Sequence, residues 1–158
     1  MENVNTAEST SGSGRTTADD AAAARAAVRE HVRRWNARDK ATWLELFADD
    51  VAYEDPPGTV AARGREVMST QAWDASFTDT KTWRLEPLLV IACGREAQVH
   101  MRNHGSVRGV PVWLDSLELW RVDSAGLVDS VRAFWEIPTE IAADLGATHW
   151  EGERSLDG

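Results

Sequence analysis

An α+β fold is predicted for this chain of 158 residues by three observations. Apolar residues recur at the three-four spacing of a helix between Thr17 and Arg38. From Lys81 onward the pattern changes to strand-length segments with alternating faces. Between the two regimes lies a hard stop at Pro56-Pro57-Gly58. Helices gathered ahead of the strands, rather than interleaved with them, point to helices packed on a largely antiparallel sheet.

The elements follow in order. Residues 1–18 are polar and small and are expected to form a disordered tail. Thr17 is read as the cap of a first helix with acidic residues in its opening turn, running to about Arg38. Its buried stripe is Ala24, Ala27/Val28, His31/Val32 and Trp35. Asp39 caps a second short helix bearing Trp43, Leu46 and Phe47. Asp49-Asp50 reads as a turn, followed by a brief strand from Val51 to Asp55. A third helix, Gly64 to about Phe77, has a less regular apolar period around Val67, Met68, Ala72 and Trp73. Four strands complete the chain, at 82–92, 96–107, 110–122 and 127–137, separated by Gly94-Arg95, Arg108-Gly109 and Asp123-Ser-Ala-Gly126. The domain is placed at 19–145, with 146–158 as a flexible C-terminal tail.

Composition excludes several function classes. A net charge of −9 disfavours nucleic acid and anionic membrane surfaces as partners. No apolar run approaches the roughly 20 residues of a membrane span, and the first 20 residues lack the apolar centre of a signal peptide. A cytoplasmic location is expected. The single cysteine, Cys93, lies in the apolar run Leu88-Leu-Val-Ile-Ala-Cys93 and is expected to be buried and inert. Eight tryptophans against one tyrosine suit either a bulky core or a pocket for a large apolar ligand.

Candidate functional residues come from alternation and helical face. Val51, Tyr53 and Asp55 share one face of their strand, and the first two mark it as the inner one. Asp55 is thus sent inward, where burial would raise its pKa into the range of a usable base. Its alternative role is to cap the backbone of its own turn. His31 lies on the inward face of the first helix, as a core residue or a site residue. His100 and His104 do not suit a metal, because four residues along a strand span roughly 13 Å. They fall with Arg102 on an outer face, solvent or dimer surface. In the third of the four late strands, Asp115 and Glu118 face opposite ways, and local pattern leaves open which is inward.

These residues together resemble the ketosteroid-isomerase-like and polyketide-cyclase-like (SnoaL-like) branch of the nuclear-transport-factor-2 superfamily. The likeness covers roughly residues 25–137. It is carried by Trp35-Asn-Ala-Arg-Asp39, Leu46-Phe-Ala-Asp-Asp-Val51, Glu54-Asp-Pro56, Gly58, Trp120-Arg-Val-Asp-Ser-Ala-Gly126 and Val131-Arg-Ala-Phe-Trp135. The resemblance implies a cone: three helices packed in a curved sheet around an apolar pocket. It places the family's aspartate base on Asp55, its oxyanion-holding tyrosine on His31 and its protonated aspartic acid on Glu118. The wall would be Trp35, Tyr53, Met101, Asn103, Val107, Trp120, Val131, Ala133 and Trp135. Replacement of tyrosine and aspartic acid by His31 and Glu118 alters the oxyanion hole, so a dedicated steroid isomerase is not implied. The expectation is an isomerase or cyclase without metal or cofactor, acting as a homodimer on a polyketide-, terpenoid- or steroid-like molecule. An epoxide hydrolase or epoxide-opening cyclase, and a non-catalytic binding domain, are the alternatives.

Overall fold

The computed structural model describes residues 16–58 and 61–136. The first helix, α1, spans Thr17–Asn36. Its cap is Thr16 rather than the expected Thr17: the Thr16 hydroxyl accepts from Asp19 N–H, and the Asp19 carboxylate accepts from Thr16 N–H. This reciprocal pair satisfies two donors that a helix start otherwise leaves open. Ordered helix therefore begins inside the segment read as tail; residues 1–15 and the expected C-terminal tail lie outside the described residues. The helix buries Ala24, Ala27, Val28, His31 and Trp35, the stripe expected from sequence apart from the half-buried Val32.

Helix α2 (Lys40–Leu44) is capped by Asp39, which accepts from Thr42 N–H and the Thr42 hydroxyl. Strand β1 is longer than expected, Phe47–Glu54. It includes Phe47, which the sequence reading put on the helix, and Asp49-Asp50, which it read as a turn. A two-residue strand, β2 (Ala62–Arg63), pairs with β1 and was not foreseen. The third helical segment splits into one turn, α3 (Arg65–Val67), and a π-helical stretch, Met68–Asp74. The wider π turn accounts for the irregular apolar spacing there. Strands β3 (Lys81–Cys93), β4 (Glu96–Val107), β5 (Val110–Val122) and β6 (Val128–Trp135) follow.

The six strands form one sheet in the order β2-β1-β6-β5-β4-β3. All neighbours are antiparallel except β1 and β6, which run parallel with Tyr53 opposite Val131. Register shifts in β1, in β3 at Pro87/Leu89 and at the β5–β6 start bend the sheet. Pro87 is tolerated because β3 is an edge strand.

Helix α1 lies on the concave side. Asn36 anchors it by donating to Leu85 C=O and accepting from Leu85 N–H, and Trp35 Nε1 donates to Trp83 C=O. Beneath it, Trp35, Trp43, Trp73, Phe47 and Phe77 form a cluster of edge-on and tilted rings with neighbouring ring centres 4.7–5.4 Å apart. Gly105 has a specific reason to be glycine. A Cβ built there would lie 2.4 Å from the Trp83 ring, which crosses β4 at that point.

The convex face is open. Leu89, Ile91, Trp113, Leu117 and Phe134 are all exposed on it. Cys93 is exposed too, contrary to expectation. The run 88–93 belongs to an edge strand whose alternate residues face away from α1, so apolar character did not mean burial. Among the described residues no helix is long and apolar enough to cross a membrane.

Candidate active site

The concave sheet and the helices enclose a cavity of about 380 Å³, within the range that takes a small organic ligand. His31 on α1, Asp55 just beyond β1 and Glu118 on β5 all line it, although they lie far apart in sequence. Of the expected wall residues, Trp35, Tyr53, Asn103, Trp120, Val131, Ala133 and Trp135 also line the cavity. Met101 and Val107 do not. Met101 shares the pleat face of Asn103 but is fully buried in the core cluster beside α1. Val107 is buried at the β4–β5 hairpin, opposite Lys81 and Val110, outside the cavity wall.

Asp55 follows β1 at a cis Asp55–Pro56 peptide bond. The Tyr53 hydroxyl donates to its Oδ2 at 2.6 Å, and Trp135 Nε1 donates to its Oδ1. Solvent reaches the carboxylate at the open end of the strand, yet the protein packed around it dominates. Burial pushes its pKa up, and the two hydrogen bonds only partly offset this. Tyr53 is itself pushed well above its ordinary value, by burial first and then by Asp55, so it stays a donor. Among the described residues both of its oxygens accept from side chains that line the cavity, and neither caps the backbone of the turn.

Glu118 is the inward acid of β5 and Asp115 the outward one. Burial drives Glu118 up to about 7 against the pull of its two donors, Trp120 Nε1 (2.7 Å) and the Ser116 hydroxyl (2.8 Å). The charge on Asp55 adds to the rise. Asn103 Nδ2 in turn donates to Ser116 Oγ at 3.1 Å. Near neutral pH this carboxyl is therefore protonated in a large share of molecules. Asp115, on the convex face, is held to about 2 chiefly by Arg102, which grips it with two N–H groups.

His31 stands between Trp35, Trp43 and Trp120, its ring centre 4.4 Å from that of Trp120. Trp43 Nε1 donates to its Nδ1 at 2.9 Å. Burial lowers its pKa to about 3, so the ring is neutral at physiological pH. His100 and His104 turn to different partners on the other face, Asp115 and Glu86. Among the described residues no group of three His, Cys, Asp or Glu side chains could hold a metal ion.

Sequence reasoning missed several lining residues. Ser116 was recoverable, since it shares the face of Glu118 two residues on. Trp43 was read only as a residue of the second short helix, and nothing local marked its indole N–H as a partner for His31. Lys81, Trp83 and Leu114 enter the wall only through the strand register.

No curated protein matches the sequence. Among solved structures, a candidate polyketide cyclase from Xanthomonas campestris pv. campestris superposes with a TM-score of 0.68 at 19% identity, over 80% of this chain and 98% of that one. The Δ5-3-ketosteroid isomerase of a Mycobacterium species gives 0.62 at 22% identity, over 72% and 93%. An epoxide hydrolase from Mycobacterium tuberculosis gives 0.64 at 16% identity, over 74% and 81%. At such identities these likenesses speak to the fold, which is that of the nuclear-transport-factor-2 superfamily. The sequence pattern of the SnoaL-like domain matches residues 28–131, well over half of the chain. The protein belongs to the SnoaL-like domain family.

Proposed function

We propose that the protein is an isomerase or cyclase, needing no metal or cofactor, for a large apolar small molecule of polyketide, terpenoid or steroid type. The observation that carries this reading is the pairing, in one cavity, of a carboxylate with raised pKa and two neutral hydrogen-bond donors. Asp55 takes a proton from an acidic carbon or hydroxyl of the substrate. The electron pair moves onto a carbonyl oxygen, which His31 N–H and protonated Glu118 O–H hold as charge develops. Return of the proton at another carbon completes an isomerisation; attack of the enolate carbon on a second carbonyl of the same molecule opens that C=O π bond, and its oxygen takes the proton back from Asp55 to complete a ring. The aromatic wall holds the substrate in the reactive conformation.

Asp55→Asn tests the assignment. It keeps shape and most hydrogen bonding but removes the base, so turnover falls by roughly 10²–10⁴-fold while the melting temperature holds or rises. A variant that keeps its turnover per folded molecule and loses stability instead would show a structural aspartate.

Epoxide opening is the second reading, favoured by Glu118: a carboxyl with a pKa of about 7 can deliver a proton to an epoxide oxygen while Asp55 activates water or an internal hydroxyl. Turnover in oxygen-18 water separates hydrolysis, which places the label in the product, from isomerisation and cyclisation, which do not. Binding without turnover of any such compound would leave a carrier domain.

A further inference from the structure

Three of the tryptophans each direct an indole N–H at one of the three candidate site residues: Trp135 at Asp55, Trp120 at Glu118 and Trp43 at His31. For the two carboxylates, which only accept while ionised, the direction of the bond carries no added information. For histidine it does. A neutral imidazole has one nitrogen that donates and one that accepts, and whichever partner engages one nitrogen decides the role of the other. An indole N–H donates and cannot accept. Its bond to His31 Nδ1 therefore requires that nitrogen to be bare and the ring hydrogen to sit on Nε2.

We propose that Trp43 is a positioning residue that fixes His31 as the Nε2–H tautomer, making it an obligate hydrogen-bond donor into the cavity. The geometry is specific. The bond is buried at 2.9 Å and joins α1 to α2. Both rings line the cavity, and no group among the described residues takes a hydrogen bond from Nε2. The rings packed on His31 are those of Trp35, Trp43 and Trp120, none of which is ionisable; the carboxyls that share its cavity, Asp55 and Glu118, accept hydrogen bonds when ionised and so would favour the same Nε2–H tautomer. Protonation of His31 would put a second hydrogen between two donors and break the bond to Trp43, so the same contact opposes the charged form. The consequence for the chemistry is that His31 acts as a neutral donor to an oxygen and neither takes nor gives up a proton. This rests on the proposed reaction only for the identity of that oxygen; the tautomer is a property of the protein alone.

The test is therefore made without substrate. Long-range proton–nitrogen correlation spectra of the nitrogen-15-labelled full chain report the state of each histidine ring, and His31→Asn identifies the His31 signals. The expected result is a bare Nδ1 and a protonated Nε2, unchanged from about pH 8 to about pH 5, while a solvent-accessible histidine titrates near 6.5. Trp43→Phe keeps an aromatic ring but removes the donor; it should bring in a measurable share of the Nδ1–H tautomer. Trp35→Phe removes an indole whose ring centre is nearer to His31 (5.7 Å against 6.1 Å for Trp43) but whose N–H donates to the Trp83 carbonyl, and should leave the His31 tautomer pure. A hydrogen on Nδ1 in the unaltered protein overturns the proposal, even if Trp43→Phe fails to fold. So does a Trp43→Phe spectrum identical to that of the unaltered protein. Loss of activity in Asp55→Asn, or its absence, bears on the reaction and leaves the tautomer result standing.

Discussion

Replacing Glu118 by glutamine should change how stability depends on pH. The Glu118 carboxyl rises from an ordinary 4.5 to about 7 on folding, so between these values the folded protein holds a proton that the unfolded chain releases. The stabilisation this brings is complete below about pH 4.5 and is lost as pH climbs to about 7. The difference is worth about 3 kcal/mol, and the group is buried enough for that figure to apply without a discount for solvent. His31 works the other way. Its pKa falls from 6.5 to about 3, so the unfolded chain binds a proton that the folded protein refuses, and stability is lost as pH falls through that interval. From about pH 4.5 to about pH 6.5 the two slopes offset each other in the unaltered protein. Glu118→Gln removes one of them. The amide can accept from Trp120 and donate to Ser116 Oγ, so the packing survives. Stability of the unaltered protein relative to the variant should fall by about 3 kcal/mol between about pH 4 and about pH 8, or about 10 °C in melting temperature. Urea titrations followed by circular dichroism at stepped pH measure it. A difference that stays constant across that range would mean the carboxyl titrates alike in folded and unfolded chains, and the acid role assigned to it would fall.

Two further outcomes are expected. Gly105→Ala places a methyl group 2.4 Å from two Trp83 ring atoms, so the ring must leave its position; a loss of about 1–3 kcal/mol is expected in denaturant titration, and an unchanged midpoint would show that the ring moves freely. The convex face carries Leu89, Leu117 and Phe134 in one register row across the strands, with His100 between the first two. We propose that a second copy of the chain covers it: light scattering at micromolar concentration should give a dimer mass, and Leu117→Arg a monomer.

Much of the scaffold was legible because the strongest signals are local. Strands β4 and β5 match their expected bounds, since each is flanked by a Gly-containing turn and alternates cleanly. The remainder depended on partners the local pattern does not display. Asp49 and Asp50 look like a turn but lie in β1 where its pairing with β6 slips between Phe47 and Ala52, and a slipped stretch tolerates turn-forming residues. Two-residue β2 is too short to have a period. Whether Asp115 or Glu118 faced inward depended on the side of the sheet that α1 covers. Asp55, by contrast, was placed by the alternation Val51-Tyr53-Asp55 alone. The tryptophan N–H bonds of the site were invisible: Trp43, Trp120 and Trp135 lie on the elements expected of them, but neither bulk nor periodicity encodes where an indole N–H points.

The parallel pairing of β1 with β6 has a kinetic meaning. Asp55 and the indole that steadies it are 80 residues apart, and closing a loop of that length costs about 4 kcal/mol in chain entropy. The β3–β4–β5–β6 meander closes by short hairpins and can form first, leaving β1 to dock against its far edge. During synthesis the strand leading to Asp55 emerges early but has no neighbour of comparable length until β6 has been made. Asp55 is thus among the first of the proposed site residues to be translated and among the last to be seated, and an intermediate with a complete meander would carry Glu118 in place and no base.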